Sequence, residues 1–264
     1  MEKFTEQDVR RYQRENKSFV AYGSEGTVFK YEDYAVKIFK SVRGKEFMKD
    51  KEEKVKAIMK KELEGFCKPE FLVYNENGEF SGYAMNYYEN KGDVSDVCYK
   101  FGDEYTLDQK IEYLLKVEEL IKKAHERGFV LNDVAIWNFL ITDSNKVMGI
   151  DTDNFQFDEY KTDTNVDLYL PYYQGLCNTE GHTVDSDKFS FALFATRSLM
   201  QRPFNDEYVI YYDKNSNYLL NSFLRFDVNE EVKDEFRNLM SSNPEKEWIG
   251  KTLEKVSSST RKYL

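Results

Sequence analysis

At 264 residues, with 41% hydrophobic and 16% aromatic content, the chain is long enough for one large domain or for two lobes sharing an interface. The longest apolar run, FSFALFATRSLM, is interrupted by Arg197 and falls short of the roughly 18 residues a spanning helix needs. The opening MEKFTEQDVRRYQREN lacks a signal-peptide core, so a soluble, cytoplasmic protein with no membrane insertion is expected. A formal net charge of −10 argues against general nucleic-acid binding, which depends on excess Lys and Arg.

Three scattered cysteines, Cys67, Cys98 and Cys177, are odd in number and lack metal-ligand spacing, which reads as reduced thiols. With His125 and His182 the only histidines, a histidine-based zinc site or a Ser-His-Asp triad is disfavoured.

In chain order, residues 17–40 (KSFVAYGSEGTVFKYEDYAVKIFK) predict three short strands, rich in aromatic and β-branched residues and separated by turns. Residues 45–65 predict a helix with Phe47, Met48, Val55, Ile58, Met59 and Leu63 on its apolar face and Gly65 at its end. Residues 69–89 predict two strands around an Asn-Gly turn. The stretch NKGDVSDVCYKFGDE follows as a polar linker. Residues 106–127 predict a long amphipathic helix, with Leu107, Ile111, Leu114, Leu115, Ile121 and Ala124 sharing a face. Next, GFVLNDVAIWNFLITDSNKVMGIDTDNF (128–155) contains two short strands around the turn TDSNK, and residues 156–182 read as a long loop. From Asp187 onward the pattern is mainly helical. The fold class is α+β.

Three features carry chemistry. In YGSEGTV, Gly23 and Gly26 flank a hairpin turn that is either an ordinary turn or a cradle whose backbone approaches a phosphate. In YAVKIF, Lys37 lies mid-strand. It is either a solvent-facing edge lysine or a buried ammonium that requires an anion. At 100° per residue, Glu52 falls near the apolar face of the 45–65 helix, as does Glu62 at its far end; Glu52 is the chosen partner, the alternative being a solvated charge run. In the 128–155 stretch, Asp133, Asn138, Asp151 and Asp153 interrupt an apolar sequence. A hairpin between Asn138 and Asp151 brings them together as an oxygen donor set of the kind Mg²⁺ favours. Asp133 is left free to accept a proton from a hydroxyl.

From about residue 18 to residue 205 the ordered set resembles the protein-kinase-like superfamily. AYGSEGTV is similar to the glycine-rich loop, with Ala21 in place of its first glycine, and AVK is similar to the strand carrying the phosphate-binding lysine. LNDVAIWN stands where the catalytic loop belongs, and DTD stands for D-F-G. The resemblance implies a two-lobed kinase-like fold. Residues 1–88 would form a small antiparallel-sheet lobe with one helix, and residues 89–264 a larger, mainly helical lobe. ATP and Mg²⁺ are implied as cofactors. Lys37 would pair the α/β-phosphates, Asp133 would be the catalytic base, and Asn138 and Asp151 would hold the metal. Gly23, Ser24, Gly26 and Val28 of the turn, Ala35 beside Lys37, and Glu52 would complete the nucleotide site. Met85, Asn86, Tyr87 and Tyr88 would form the hinge that meets the adenine, and Asp187 would brace the catalytic loop from below.

The implied activity is transfer of the ATP γ-phosphate to a hydroxyl, with protein serine or threonine as acceptor. The alternatives are a small-molecule kinase on the same fold and a non-catalytic pseudokinase or interaction module. Departures from the family pattern bear on these. Leu131 and Asn132 replace His and Arg, Ala135 replaces a lysine, and Asp153 replaces the last glycine of D-F-G, adding a carboxylate near the metals.

Overall fold

The computed structural model describes residues 5–16, 18–23, 25–40, 44–100, 104–161, 182–199, 234, 248–251 and 253–255. The chain packs into two units, one of Met1–Glu89 with Ile150–Asp153, the other of Asn90–Gly149 with Asn154–Leu264. The architecture is α+β, with a five-stranded antiparallel sheet in the first unit and a three-stranded one in the second.

The first unit opens with helix α1 (Glu6–Asn16). Thr5 and Asp8 cap it reciprocally: the Asp8 amide donates to Thr5 Oγ1 and the Thr5 amide to Asp8 Oδ2. The sheet follows, with β1 (Phe19–Tyr22), β2 (Gly26–Tyr31), β3 (Tyr34–Phe39), β4 (Pro69–Tyr74) and β5 (Phe80–Asn86), in the order β1-β2-β3-β5-β4. Asn75 fixes the β4–β5 turn, its Oδ1 accepting from the amides of Asn77 and Glu79. Gly78 supplies the positive φ of 71°.

Strand alternation sorts the sheet into two faces. Phe29, Val36, Ile38, Val73 and Ala84 point to one side, where Val9 of α1 closes a core cluster. Lys37 points to the other side, with its register partners Val28 and Tyr83. Residue Gly82 is required by close approach, since a Cβ there would lie 2.0 Å from the Lys37 carbonyl oxygen on the neighbouring strand. Gly26 is held to the same standard, its Cβ falling 2.5 Å from the Ile38 carbonyl oxygen.

Helix α2 (Lys45–Met59) is shorter than the 45–65 expected. Lys68 Nζ donates to the carbonyls of Met59 and Lys61, capping the helix end that the Lys- and Glu-rich sequence conceals. Its buried stripe is Lys51, Lys54, Val55 and Ile58, at helical spacing.

In the second unit, β6 (Asn90–Asp93), β7 (Phe139–Thr142) and β8 (Val147–Gly149) form a small sheet in that order. Within the expected linker at 90–104, residues 90–100 form regular structure: β6 pairs with β7, and a π-helical turn at Asp96–Lys100 follows. Polar NKGD makes a strand because its backbone pairs at the sheet edge while its side chains stay half-exposed. Helix α3 (Leu107–Glu126) begins at a capping box between Thr106 and Gln109 and buries Ile111, Leu114, Val117, Ile121 and Ala124. Helix α4 (Val184–Leu199) packs against α3. Most of the chain beyond it, with Cys177 and nearly all of the loop after Lys161, lies outside the described residues. Cys67 and Cys98 are free, buried thiols, pushed up by burial to about 12 and about 11. Among the described residues no helix is long and apolar enough to cross a membrane.

Because the Gly82 clash is with backbone that cannot rotate away, Gly82→Ala should cost about 3 kcal/mol of unfolding free energy. Denaturant titration of the variant against the wild type measures it.

Candidate active site

The candidate residues fall into two constellations, one in each unit. In the first unit, β3 carries Lys37 into a cluster of ionised groups that sequence distance conceals. Its ammonium donates to Asp151 Oδ1 at 2.5 Å and to Asp153 Oδ1 at 2.9 Å, groups 114 and 116 positions further along the chain. The Glu25 carboxylate, from the glycine turn, is 3.7 Å away. From α2, the Lys51 ammonium lies 2.9 Å from Asp153 Oδ2, donates to the Asp153 carbonyl at 3.2 Å, and stands 3.6 Å from Glu25. From β5, the Tyr83 hydroxyl donates to Asp153 Oδ1 at 2.6 Å. Lys51 and Asp153 are fully buried, whereas the Asp151 side chain is 32% exposed.

The electrostatics follow from that burial. Desolvation works against the Lys37 ammonium, but Asp153, Asp151 and Glu25 outweigh it and hold its pKa above the ordinary 10.5. Desolvation likewise works against the Asp153 carboxylate, and Lys37, Lys51 and the Tyr83 hydroxyl overcome it, holding its pKa well below the ordinary 3.8. Burial, reinforced by Asp153 and Asp151, keeps the Tyr83 phenol protonated and available to donate.

Several expectations change here. Glu52 does not pair with Lys37: it accepts from the Tyr74 hydroxyl at 2.8 Å and pairs with Lys56 at 2.6 Å. The helix turns Lys51 inward, and Glu52, about 100° further round, lies on the flank. Asp153, expected as an extra carboxylate near metals, is sealed between two lysines and a tyrosine. Sequence reasoning missed Lys51 because a lysine was not allowed on the apolar stripe. Its spacing with Val55 and Ile58 is the available signal.

The glycine turn is closed on itself, the Gly23 amide donating to the Gly26 carbonyl at 2.9 Å, so that amide does not point at an anion. Ser24 lies outside the described residues. Val28, Ala35 and Met85 share the Lys37 face of the sheet, as their register requires. Asn86 ends β5 opposite Tyr34, and Tyr88 is 37% exposed. The Tyr87 amide donates to the Asp33 carbonyl at 2.9 Å, so it too is committed and does not face an adenine.

In the second unit, Asp187 on α4 organises the loop carrying Asp133. Its Oδ2 accepts from the Leu131 amide at 2.7 Å and its Oδ1 from the Asn132 amide at 3.0 Å, while His125 Nε2 lies 2.8 Å from Oδ2. Asn132 adopts a φ of 67° and donates through Nδ2 to the Asn154 carbonyl at 2.6 Å. Asp151 in the first constellation has a φ of 64°, so a left-handed residue stands in each. Within the loop, Asn138 Nδ2 donates to both the carbonyl and Oδ2 of Asp133, each at 3.1 Å. That bond fixes the amide orientation, and Asn138 Oδ1 takes no part in it.

Asp151 in the first unit carries a partly exposed carboxylate and Asn138 in the second an amide, each by itself a hard oxygen donor of the kind Mg²⁺ accepts. Among the described residues no three His, Cys, Asp or Glu side chains gather into a metal site. No protein-family model matches the chain, and no curated sequence matches it.

Breaking a buried pair strands its partner, so Asp153→Asn should cost about 3–5 kcal/mol, against less than about 1 kcal/mol for Glu52→Gln. The pH dependence has a defined sign. Asp153, depressed when folded, contributes stability above its ordinary 3.8 and loses it only as pH falls through the lower folded value. Lys37, raised when folded, contributes below 10.5 and loses that only above it. Denaturant titrations of wild type and Asp153→Asn should therefore give a constant difference from about pH 5 to pH 9.

Proposed function

We propose that the chain is an ATP- and Mg²⁺-dependent phosphotransferase of the two-lobed, protein-kinase-like kind, transferring the γ-phosphate to a serine or threonine hydroxyl of a protein. One observation carries the reading. The lysine of the AVK strand and the first aspartate of DTD, 114 positions apart, are in direct contact at 2.5 Å. The resemblance assigns Lys37 to the α/β-phosphates and Asp151 to the Mg²⁺ that accompanies them. The Asp187 brace beneath the Asp133 loop supports the same reading from the second unit.

On this reading the chemistry is positioning and charge stabilisation. Lys37 contacts the α/β-phosphates. Asp133 accepts the proton of the acceptor hydroxyl as its oxygen attacks the γ-phosphorus, and the bond from that phosphorus to the β–γ bridging oxygen breaks, releasing ADP. The Asn138 amide, hydrogen-bonded to Asp133, fixes that carboxylate at the acceptor. Asp151 would hold Mg²⁺, which would neutralise phosphate charge when bound.

A second reading, the non-catalytic pseudokinase, is favoured by a different observation: Asp151 is locked on Lys37 and the Gly23 amide is closed on Gly26. Both groups must be released before a triphosphate can use them. The two readings separate in a γ-phosphate transfer assay of the full chain with labelled ATP and a generic protein acceptor. The phosphotransferase reading requires transfer by wild type and its loss in Asp151→Asn. It also requires loss in Asp133→Asn with nucleotide binding retained. Mg-ATP at a hundredfold excess over Kd should stabilise wild type by about 2.7 kcal/mol. No transfer by wild type, with partner binding unaffected by Lys37→Ala, would favour the interaction module.

A further inference from the structure

We propose that Asp153, bridging Lys37 and Lys51, is the positioning residue that holds Lys37 for its phosphate contact, and that α2 supports it through a lysine rather than a glutamate. The ligand in this inference rests on the phosphotransferase reading; the geometry does not. Asp153 draws partners from three elements: Lys37 from β3, Lys51 from α2 and Tyr83 from β5. It is fully buried, whereas Asp151 is partly exposed. The two carboxylates on Lys37 therefore have different work. Asp151 is exchangeable, and Asp153 is permanent.

The neighbouring carboxylates support this division. Lys37 and Lys51 each stand near both Asp153 and Glu25. When Asp151 turns away to a cation, both ammoniums keep carboxylate neighbours. An ammonium has three N–H donors, and Lys37 directs one at Asp153 and one at Asp151. The donor that Asp151 releases is the one a phosphate oxygen takes, while Asp153 keeps the ammonium in place. Glu52, committed to Tyr74 and Lys56, has no part in this.

The test compares full-length wild type with Asp153→Asn, Glu52→Gln, Asp153→Gly and the double variant Lys51→Glu/Asp153→Gly, which returns a carboxylate to Lys37 from the helix. Two readouts are taken. One is the ¹H–¹⁵N signal of the Lys37 ammonium, visible when hydrogen bonds slow its exchange and assigned by its loss in Lys37→Arg. The other is Mg-ATP affinity by calorimetry. Wild type and Glu52→Gln should both show the signal and bind alike. Asp153→Asn should lose the signal and bind about ten- to a hundredfold more weakly. The double variant should recover both properties relative to Asp153→Gly.

A lost signal in Glu52→Gln with retention in Asp153→Asn overturns the proposal, as does a double variant no better than Asp153→Gly. Should Asp153→Asn fail to fold, the comparison of double and single glycine variants decides alone. The ammonium signal needs no nucleotide. Failure of every protein, wild type included, to bind Mg-ATP would count against the phosphotransferase reading, and the signal pattern would still decide the role of Asp153.

Discussion

Two lysines buried within reach of one aspartate constrain everything around them. An ammonium removed from water is unfavourable by several kcal/mol unless an anion meets it, and the fold brings Asp153 to Lys37 and Lys51 at 2.9 Å each. Supplying that carboxylate requires a segment more than a hundred positions downstream to pack with the first unit, and Ile150–Asp153 does so. Tyr83, fully buried, adds a third contact from the neighbouring strand through its hydroxyl.

The rest of the first unit serves this arrangement. The lysine side of the sheet carries the ionised groups, and an apolar cluster lies on the opposite side, where Val9 of α1 completes it. Gly82 lets β5 approach β3 closely enough to set Tyr83 opposite Lys37. The second unit uses a comparable device on a smaller scale. One buried carboxylate, Asp187, gathers two successive backbone amides and a histidine, holding the loop in which Asn132 takes a left-handed conformation. Each constellation is thus organised by a buried aspartate and presents a more accessible one, Asp151 or Asp133.

How much of this was legible in the sequence depends on whether the cause is local. The three strands before residue 40, the β4–β5 hairpin and α3 were legible because alternation, turn chemistry and a capping box act within a few residues. The need for an anion at Lys37 was legible from an ammonium set in an apolar strand, but its identity was not: Glu52 was expected, and Asp151 and Asp153 meet Lys37 instead. Helix α1 offered only Val9 as a buried residue, too little for a visible stripe. Strand β6 is polar and owes its pairing to backbone bonds with β7. The end of α2 is set by Lys68, outside the helix. The inward turn of Lys51 makes sense only once Asp153 is seen opposite it. Each of these depends on a partner distant in sequence, which local pattern cannot report.

The central claim is that Lys37 stands on Asp153 and exchanges Asp151 for a nucleotide phosphate. A crystal structure of the chain with Mg²⁺ and a non-hydrolysable ATP analogue tests it most directly. The account predicts Lys37 Nζ within hydrogen-bonding distance of an α- or β-phosphate oxygen, Asp151 turned from Lys37 to the metal, and Asp153 still joined to Lys37, Lys51 and Tyr83. A nucleotide seated elsewhere, with Lys37 still locked on Asp151, would contradict it.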